Sequence, residues 1–328
     1  MTGAVFAKLL AIFLTVALGW FVGRMRWLDP PGSEGADPAR LLGNLAFHLF
    51  VPALLFRTTA RLDFAAMPWH TVAAYFVPAV AFLLAVYAGE RAAARQGGAA
   101  AAPSVRAIAA TFGNSVQVGI PVATALFGER GLAIHIPLVS LHAIVLLSVL
   151  TALAEADIAR ERATTGQAGR LWPTLHKTLR NTIVHPVVLP VLAGLAWNAT
   201  GVALPSVLDE SLAALGSAVV PVCLVLIGLT LAYQDLQGRW RGALAISVLK
   251  LVALPALVLA TARWGFGLSG VPLSVVVLMA ALPVGSNALI FSQRYQTLEA
   301  ETSAAIMLST VSFAATASLW LAMLALLG

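Results

Sequence analysis

Gly113-Asn114-Ser115-Val116-Gln117-Val118-Gly119-Ile120-Pro121 lies inside an apolar segment that carries no charge between Arg106 and Glu129. The segment is long enough to cross a bilayer, yet its middle is written against a regular membrane helix. Pro121 has no N–H and its ring clashes with the preceding turn. Gly113 and Gly119 lower the cost of unwinding, and Asn114, Ser115 and Gln117 bring donors and acceptors to membrane depth. Backbone freed there must be buried in protein or line a wet cavity. A second such stretch, Leu282-Pro283-Val284-Gly285-Ser286-Asn287, interrupts an apolar segment without charge between Arg263 and Arg294. Two interrupted helices in corresponding places of two halves point to a binding site.

Composition sets the class. The 328 residues are 60% hydrophobic and only 10% charged, with a mean hydropathy of +0.90, whereas a soluble domain carries about 25% charged residues. The chain therefore reads as an all-α polytopic membrane protein. Its net charge of +6 comes from short basic clusters between apolar runs, the way topology is encoded, so no nucleic-acid partner is expected. The single cysteine, Cys223, sits in an apolar run; it excludes an intrachain disulfide and a multi-cysteine metal site and reads as a packing residue.

Ten apolar spans follow in order, each near the ~20 residues that cross about 30 Å of hydrocarbon. They cover roughly residues 4–22, 41–59, 69–89, the broken fourth span, 132–154, 183–197, 212–232, 243–262, the broken ninth span near 271–291, and 304–327. The first has Lys8 inside it and no small-residue cleavage site before Arg24 and Arg26, so it reads as a retained span rather than a signal peptide. The longest polar stretch, 155–180, divides a first five-helix repeat (1–154) from a second (181–328) and reads as a cytoplasmic linker. Pro52 in the second span corresponds to Pro221 in the seventh, and Pro121 to Pro283. Because each repeat has an odd number of spans, the second copy enters the membrane from the opposite side, which makes an inverted repeat. With the termini outside, fourteen Lys and Arg fall in inner loops, against Arg57, Arg61, Arg130 and Arg263 outside. The positive-inside rule thus places both termini on the outer side. The abundance of Ala and Arg points to a bacterial inner membrane.

With those residues laid out, the chain resembles the auxin efflux carrier family, which includes plant PIN-type carriers and bacterial malonate-transporter-like proteins. The resemblance rests on Val51-Pro52-Ala53-Leu54-Leu55-Phe56, on Gly113-Asn114-Ser115 with Gly119-Ile120-Pro121 and Phe127-Gly128, on Gly228, and on Lys250 with Pro255. It continues through Pro283-Val284-Gly285-Ser286-Asn287, Tyr295 and Leu308-Ser309-Thr310. It implies two inverted five-helix repeats with spans four and nine crossing as broken helices, as in the related bile-acid sodium symporters. It also implies a scaffold of spans one, two, six and seven, through which a homodimer is expected, and a moving transport domain of spans three to five and eight to ten. The long cytoplasmic loop of many plant carriers is here reduced to the 155–180 linker, so regulation through that loop is not expected.

The candidate substrate or ion site comprises Asn114, Ser115, Gln117, Gly119, Pro121, Pro283, Gly285, Ser286, Asn287 and Lys250. Asn114 and Asn287 either tie spans together, as amides between membrane helices often do, or meet the ligand; their places beside prolines in both repeats favour the ligand. Lys250 lies some 12 Å into span eight at 1.5 Å per residue. An unpaired Lys costs roughly 2.5 to 3.5 kcal/mol there, so it either snorkels or faces the site. His48, His135 and His142 have no companions at metal-ligand spacing; they read as packing or hydrogen-bonding residues rather than ligands, with no role in transport assigned. Asn198-Ala199-Thr200 fits a short glycosylation pattern.

An enzyme is the rival class. Gly267-Leu268-Ser269-Gly270 resembles the serine motif of rhomboid proteases, but no histidine follows His185 to activate that serine, and no Asp or Glu lies deep in a span. The expectation is a secondary carrier that exports or exchanges a small organic anion, malonate-like or auxin-like by resemblance, through alternating access. Half-helix N-termini suit a carboxylate. A sodium- or proton-coupled symporter is the alternative, and a passive channel or sensor a third class. No cofactor is expected; the amides of Asn114, Gln117 and Asn287 with backbone carbonyls leave room for a sodium ion.

Overall fold

The structure is a computed structural model that describes residues 2–28, 38–61, 68–93, 99–164, 188–233 and 240–327. The described residues are almost entirely helical, with no strand among them beyond one isolated bridge. Six helices are long and apolar enough to cross a membrane: Leu41–Ala60, Trp69–Ala93, Ser115–Glu161, Ser206–Tyr233, Trp240–Gly265 and Glu299–Leu327. Leu14–Arg24 and Gly270–Ala281 are shorter apolar helices. Residues 165–180 of the expected linker, the start of the expected sixth span with His185, and the basic residues Arg95, Arg170, Lys177, Arg180 and Arg239 lie outside the described residues.

Proline shapes the long helices. Ala46–Phe50, Ser115–Gly119 and Leu249–Ala253 are one-turn π-helices, and each ends two residues before a proline, Pro52, Pro121 or Pro255. A proline leaves the carbonyl four residues back without its N–H and presses its ring on it; a wider turn relieves that clash. Accordingly the Val51 N–H bonds Ala46 O and the Leu254 N–H bonds Leu249 O. The expected seventh span is two helices, Ser206–Ser217 and Val219–Tyr233, because Pro221 removes the N–H that would bond the Ser217 carbonyl. The expected fifth span runs further than its apolar stretch, as helix Ile120–Thr164 continues into the polar region. Its extension is held by polar contacts: Tyr87 Oη donates to Asp157 at 2.7 Å, Arg91 pairs with Asp157 at 3.0 Å and Tyr295 Oη donates to Glu155 at 3.0 Å. Burial, the largest cause, pushes the Tyr295 hydroxyl above its usual range. Near the start of the same helix, Gly128 has φ 61° and ψ −153°, a conformation open essentially to glycine alone; it separates the short helix after the fourth-span break from the long one.

The chain packs as two compact units. The first comprises Met1–Pro68, Ser115–Ser140 and His185–Asp235. Here helix Thr2–Arg24 lies against Val219–Tyr233 so closely that a Cβ on Gly228 would strike the backbone of Val16, Gly19 and Trp20, and one on Gly19 the backbone of Val225. Small residues four apart, Gly19 and Gly23, make this approach possible. Helix Val51–Ala60 packs on Val188–Ala199 and Ser206–Ser217, and Arg57 holds Asp209 through two bonds of 2.8 and 3.1 Å. The core joins Ala46, Val51 and Leu55 to Val116, Ile120, Ile136, Val139, Val219 and Cys223.

The second unit comprises Trp69–Asn114, Leu141–Val184 and Leu236–Gly328. Trp69–Ala93 packs on Ala102–Thr111, Trp240–Val248 on Glu299–Leu327, and Leu254–Ala260 on Gly270–Ala281. Trp320 Nε1 donates to the Leu251 carbonyl at 2.8 Å, one of the carbonyls that the Pro255 turn would otherwise leave open. Arg106 ties three helices together, donating to Glu301 at 2.9 Å and Glu90 at 2.7 Å. The Glu301 carboxylate presses so closely on Gly242 that a side chain there would displace it.

Candidate functional site

Both broken segments break where the sequence places the interruptions. Helix Ala102–Thr111 ends at Phe112, which is extended at φ −76° and ψ 108°. Helix Gly270–Ala281 ends at Leu282, with φ −58° and ψ 148°, and Ser286–Arg294 begins four residues later. Within the second unit the two extended pieces meet as an antiparallel bridge, Gly113 opposite Val284. The Asn114 N–H donates to Pro283 O at 2.8 Å and the Gly285 N–H to Phe112 O at 2.9 Å. Pro283 has no N–H to return the bond to Asn114, and the Phe112 N–H is taken by Ile108 O at 2.7 Å. The ladder therefore stops after a single rung.

This bridge answers the main cost of breaking a helix in a membrane, where unpaired N–H and C=O groups cannot turn to water. It also explains the glycine at 285, since a Cβ there would lie 2.8 Å from Gly113 O and 3.0 Å from a Phe112 ring carbon.

The remaining candidates divide between the units. In the second, Asn114, Pro283 and Gly285 are brought together by the bridge, Ser286 and Asn287 open helix Ser286–Arg294, and Asn114, Ser286 and Asn287 are half-buried. Lys250 is 0% exposed. Its Nζ donates to the Ala280 carbonyl, at the C-terminal end of Gly270–Ala281, where a helix presents partial negative charge. A Cβ on Gly113 would lie 3.4 Å from the same ammonium, so Lys250 stands behind the bridge. In the first unit, Ser115, Gly119 and Pro121 are buried and Gln117 is half-buried on the π-turn Ser115–Gly119.

The three histidines read from sequence as packing or hydrogen-bonding residues are hydrogen-bonding groups of the breaks and turns. His135, 1% exposed, reaches the Ser115 carbonyl through Nε2 at 2.9 Å; a carbonyl only accepts, so Nε2 carries the proton. His142 Nε2 accepts from the Gly113 N–H at 3.2 Å, so in the neutral ring Nδ1 carries the proton and donates to Tyr75 Oη, also 3.2 Å away. His48 Nδ1 bonds Asn44 O at 2.9 Å within its π-turn region. Ser309 Oγ accepts the Val284 N–H at 3.0 Å. Sequence reasoning gave Tyr75 and Ser309 no role; Tyr75 was legible only as a polar group in an apolar span, and Ser309 only as part of the Leu308-Ser309-Thr310 stretch of the family resemblance. Among the described residues no group of His, Cys, Asp and Glu could hold a metal ion.

Comparison with known proteins gives one consistent answer. Residues 4–321 match the family described as "Membrane transport protein". A protein named "Uncharacterized transporter" from Methanothermobacter thermautotrophicus is 23% identical, over 95% of both chains. One named "Putative malonate transporter" from Rhizobium meliloti is 24% identical, over 94% of this chain and 92% of its own. One named "Probable auxin efflux carrier component 5a" from Oryza sativa is 26% identical, over 89% and 88%. With its apolar helices and its pair of joined breaks, the chain belongs to this membrane transport family, the auxin efflux carrier family, and is an integral membrane transporter rather than an enzyme.

Proposed function

We propose that the protein is a secondary carrier that exports or exchanges a small organic anion by alternating access, with its site at the joined breaks. The observation that carries this is the Gly113–Val284 bridge. It holds two interrupted membrane helices in register and leaves Asn114, Ser286 and Asn287 half-buried beside them. The N-terminus of Ser286–Arg294 turns the partial positive charge of a helix start toward a carboxylate, and the amides fix its orientation. Malonate and an auxin, with indole-acetate as the test compound, are the first substrates to try, since the names of the Rhizobium and rice relatives give malonate and auxin for those proteins.

Ten spans in two inverted five-helix repeats are the proposed architecture; the two shorter apolar helices support it, as does the kink at Gly128, which divides the apolar helix Ser115–Glu161 in two. Spans one, two, six and seven form the scaffold and carry a homodimer contact, while spans three to five and eight to ten move. The packing of Thr2–Arg24, Val51–Ala60, Val188–Ala199 and Val219–Tyr233 within one unit supports the scaffold grouping; that unit also holds Ser115–Ser140, from spans four and five. The protein sits in a bacterial inner membrane with both termini outside.

No mid-span Asp or Glu is available for proton coupling. Transport is therefore driven by the anion's own electrochemical gradient, and a negative interior favours efflux. Counterflow of radiolabelled malonate and indole-acetate in liposomes tests the carrier. Saturable counterflow is expected, and non-saturable flux would mean a channel. Accumulation following a sodium or proton gradient at zero potential would replace the uncoupled scheme with a symporter using a carbonyl-and-amide ion site or a histidine.

A further inference from the structure

In an antiparallel pair, residues that face each other without exchanging hydrogen bonds turn their own N–H and C=O groups outward. Gly113 and Val284 are such a pair, since both bonds of the bridge are made by their neighbours. Both residues are buried, so each outward N–H must find an acceptor or cost the bridge the desolvation of a peptide group. The acceptor is a side chain in both cases, and in both it comes from the long helix beyond the short one that follows the break: the part of Ile120–Thr164 after Gly128 for Gly113, and Glu299–Leu327 for Val284. His142 Nε2 takes the Gly113 N–H and Ser309 Oγ takes the Val284 N–H. Both side chains are fully buried and each is itself anchored, His142 against Tyr75 Oη and Ser309 on Ile306 O at 3.1 Å.

We infer that His142 and Ser309 are positioning residues of the transport site, one for each repeat, each fixing the peptide from which the next site residues project. Gly113 precedes Asn114, and Val284 precedes Gly285-Ser286-Asn287. The N–H clamp sets the direction in which Asn114 leaves the bridge and the entry of the chain into helix Ser286–Arg294. The two clamps are equivalent in place and different in chemistry, an imidazole in the first repeat and a hydroxyl in the second. This inference rests on the reading that Asn114 and the 285–287 stretch line the site.

The test separates the two. Hydrogen exchange of the reconstituted full chain reads the clamp without any substrate. His142→Phe should accelerate exchange in peptides covering 112–115 by roughly tenfold, the factor of one ordinary hydrogen bond, and His142→Gln, whose amide can accept from Gly113 and donate to Tyr75, should restore it. Ser309→Ala should do the same for 283–286, with Ser309→Thr restoring it; this pair carries the comparison should His142→Phe fail to fold. In malonate uptake the Phe and Ala variants should raise KM by a similar factor with little change in Vmax, and Gln and Thr should return it. Unchanged exchange in His142→Phe and Ser309→Ala overturns the inference, as does a fall in Vmax alone with KM unmoved. A wild-type protein that does not take up malonate overturns the malonate reading, while the exchange data still decide the clamp.

Discussion

Gly285 has its N–H on the Phe112 carbonyl at 2.9 Å, and a methyl group at its Cα would lie 2.8 Å from Gly113 O. Two breaks more than 160 residues apart in sequence thus approach each other more closely than any side chain at 285 permits. The rung they form leaves one half-buried amide, Asn114, directly on the bridge and another, Asn287, two residues beyond it.

Gly285→Ala should therefore part the bridge. Overpacking of this kind costs about 1–3 kcal/mol, and the loss should appear as a lower melting temperature in detergent together with lost malonate uptake. A variant that melts and transports like the parent would mean that the two segments separate without consequence.

Asn114→Ala and Asn287→Ala should each abolish malonate-induced thermal stabilisation while leaving the ligand-free melting temperature nearly intact, because both side chains are half-buried and neither forms the bridge's backbone bonds. A matching loss of ligand-free stability in both would assign them to holding helices together instead.

Lys250→Met should separate stability from function. A fully buried ammonium with one carbonyl acceptor is costly, and replacing buried charges with apolar groups of similar volume is often neutral or stabilising. The melting temperature is expected to hold or rise while malonate uptake falls, since the positive charge behind the bridge is gone. Lost stability with normal uptake would show that the lysine serves packing alone.

Gly228→Leu should prevent folding of the first unit, because the new side chain would meet the backbone of Val16, Gly19 and Trp20 rather than movable side-chain ends. Size-exclusion profiles of fluorescent fusions should show aggregation for Gly228→Leu and a smaller loss for Gly43→Leu, whose added Cβ meets only the ends of Leu226 at 3.7 and 3.8 Å.

The sequence alone determined that this is a helical membrane protein and that its fourth and ninth spans are interrupted. Charge-free apolar runs and helix-breaking Pro and Gly act locally, within a turn or two of themselves. Pro121 and Pro283 were therefore legible as interruptions, and the spacing of Gly113-Asn114-Ser115 marked the polar part. The same locality concealed how a break is repaired. Pro52, Pro121 and Pro255 announce a disturbance, but nothing in their neighbourhood says that the turn before each widens to a π-helix. Only the tertiary structure joined Gly113 to Val284, turned Lys250 onto the Ala280 carbonyl, and gave His142, His135 and Ser309 their partners. Each of these contacts joins residues twenty or more positions apart, and each answers one demand that the bilayer imposes: a buried polar group must find its partner within the protein.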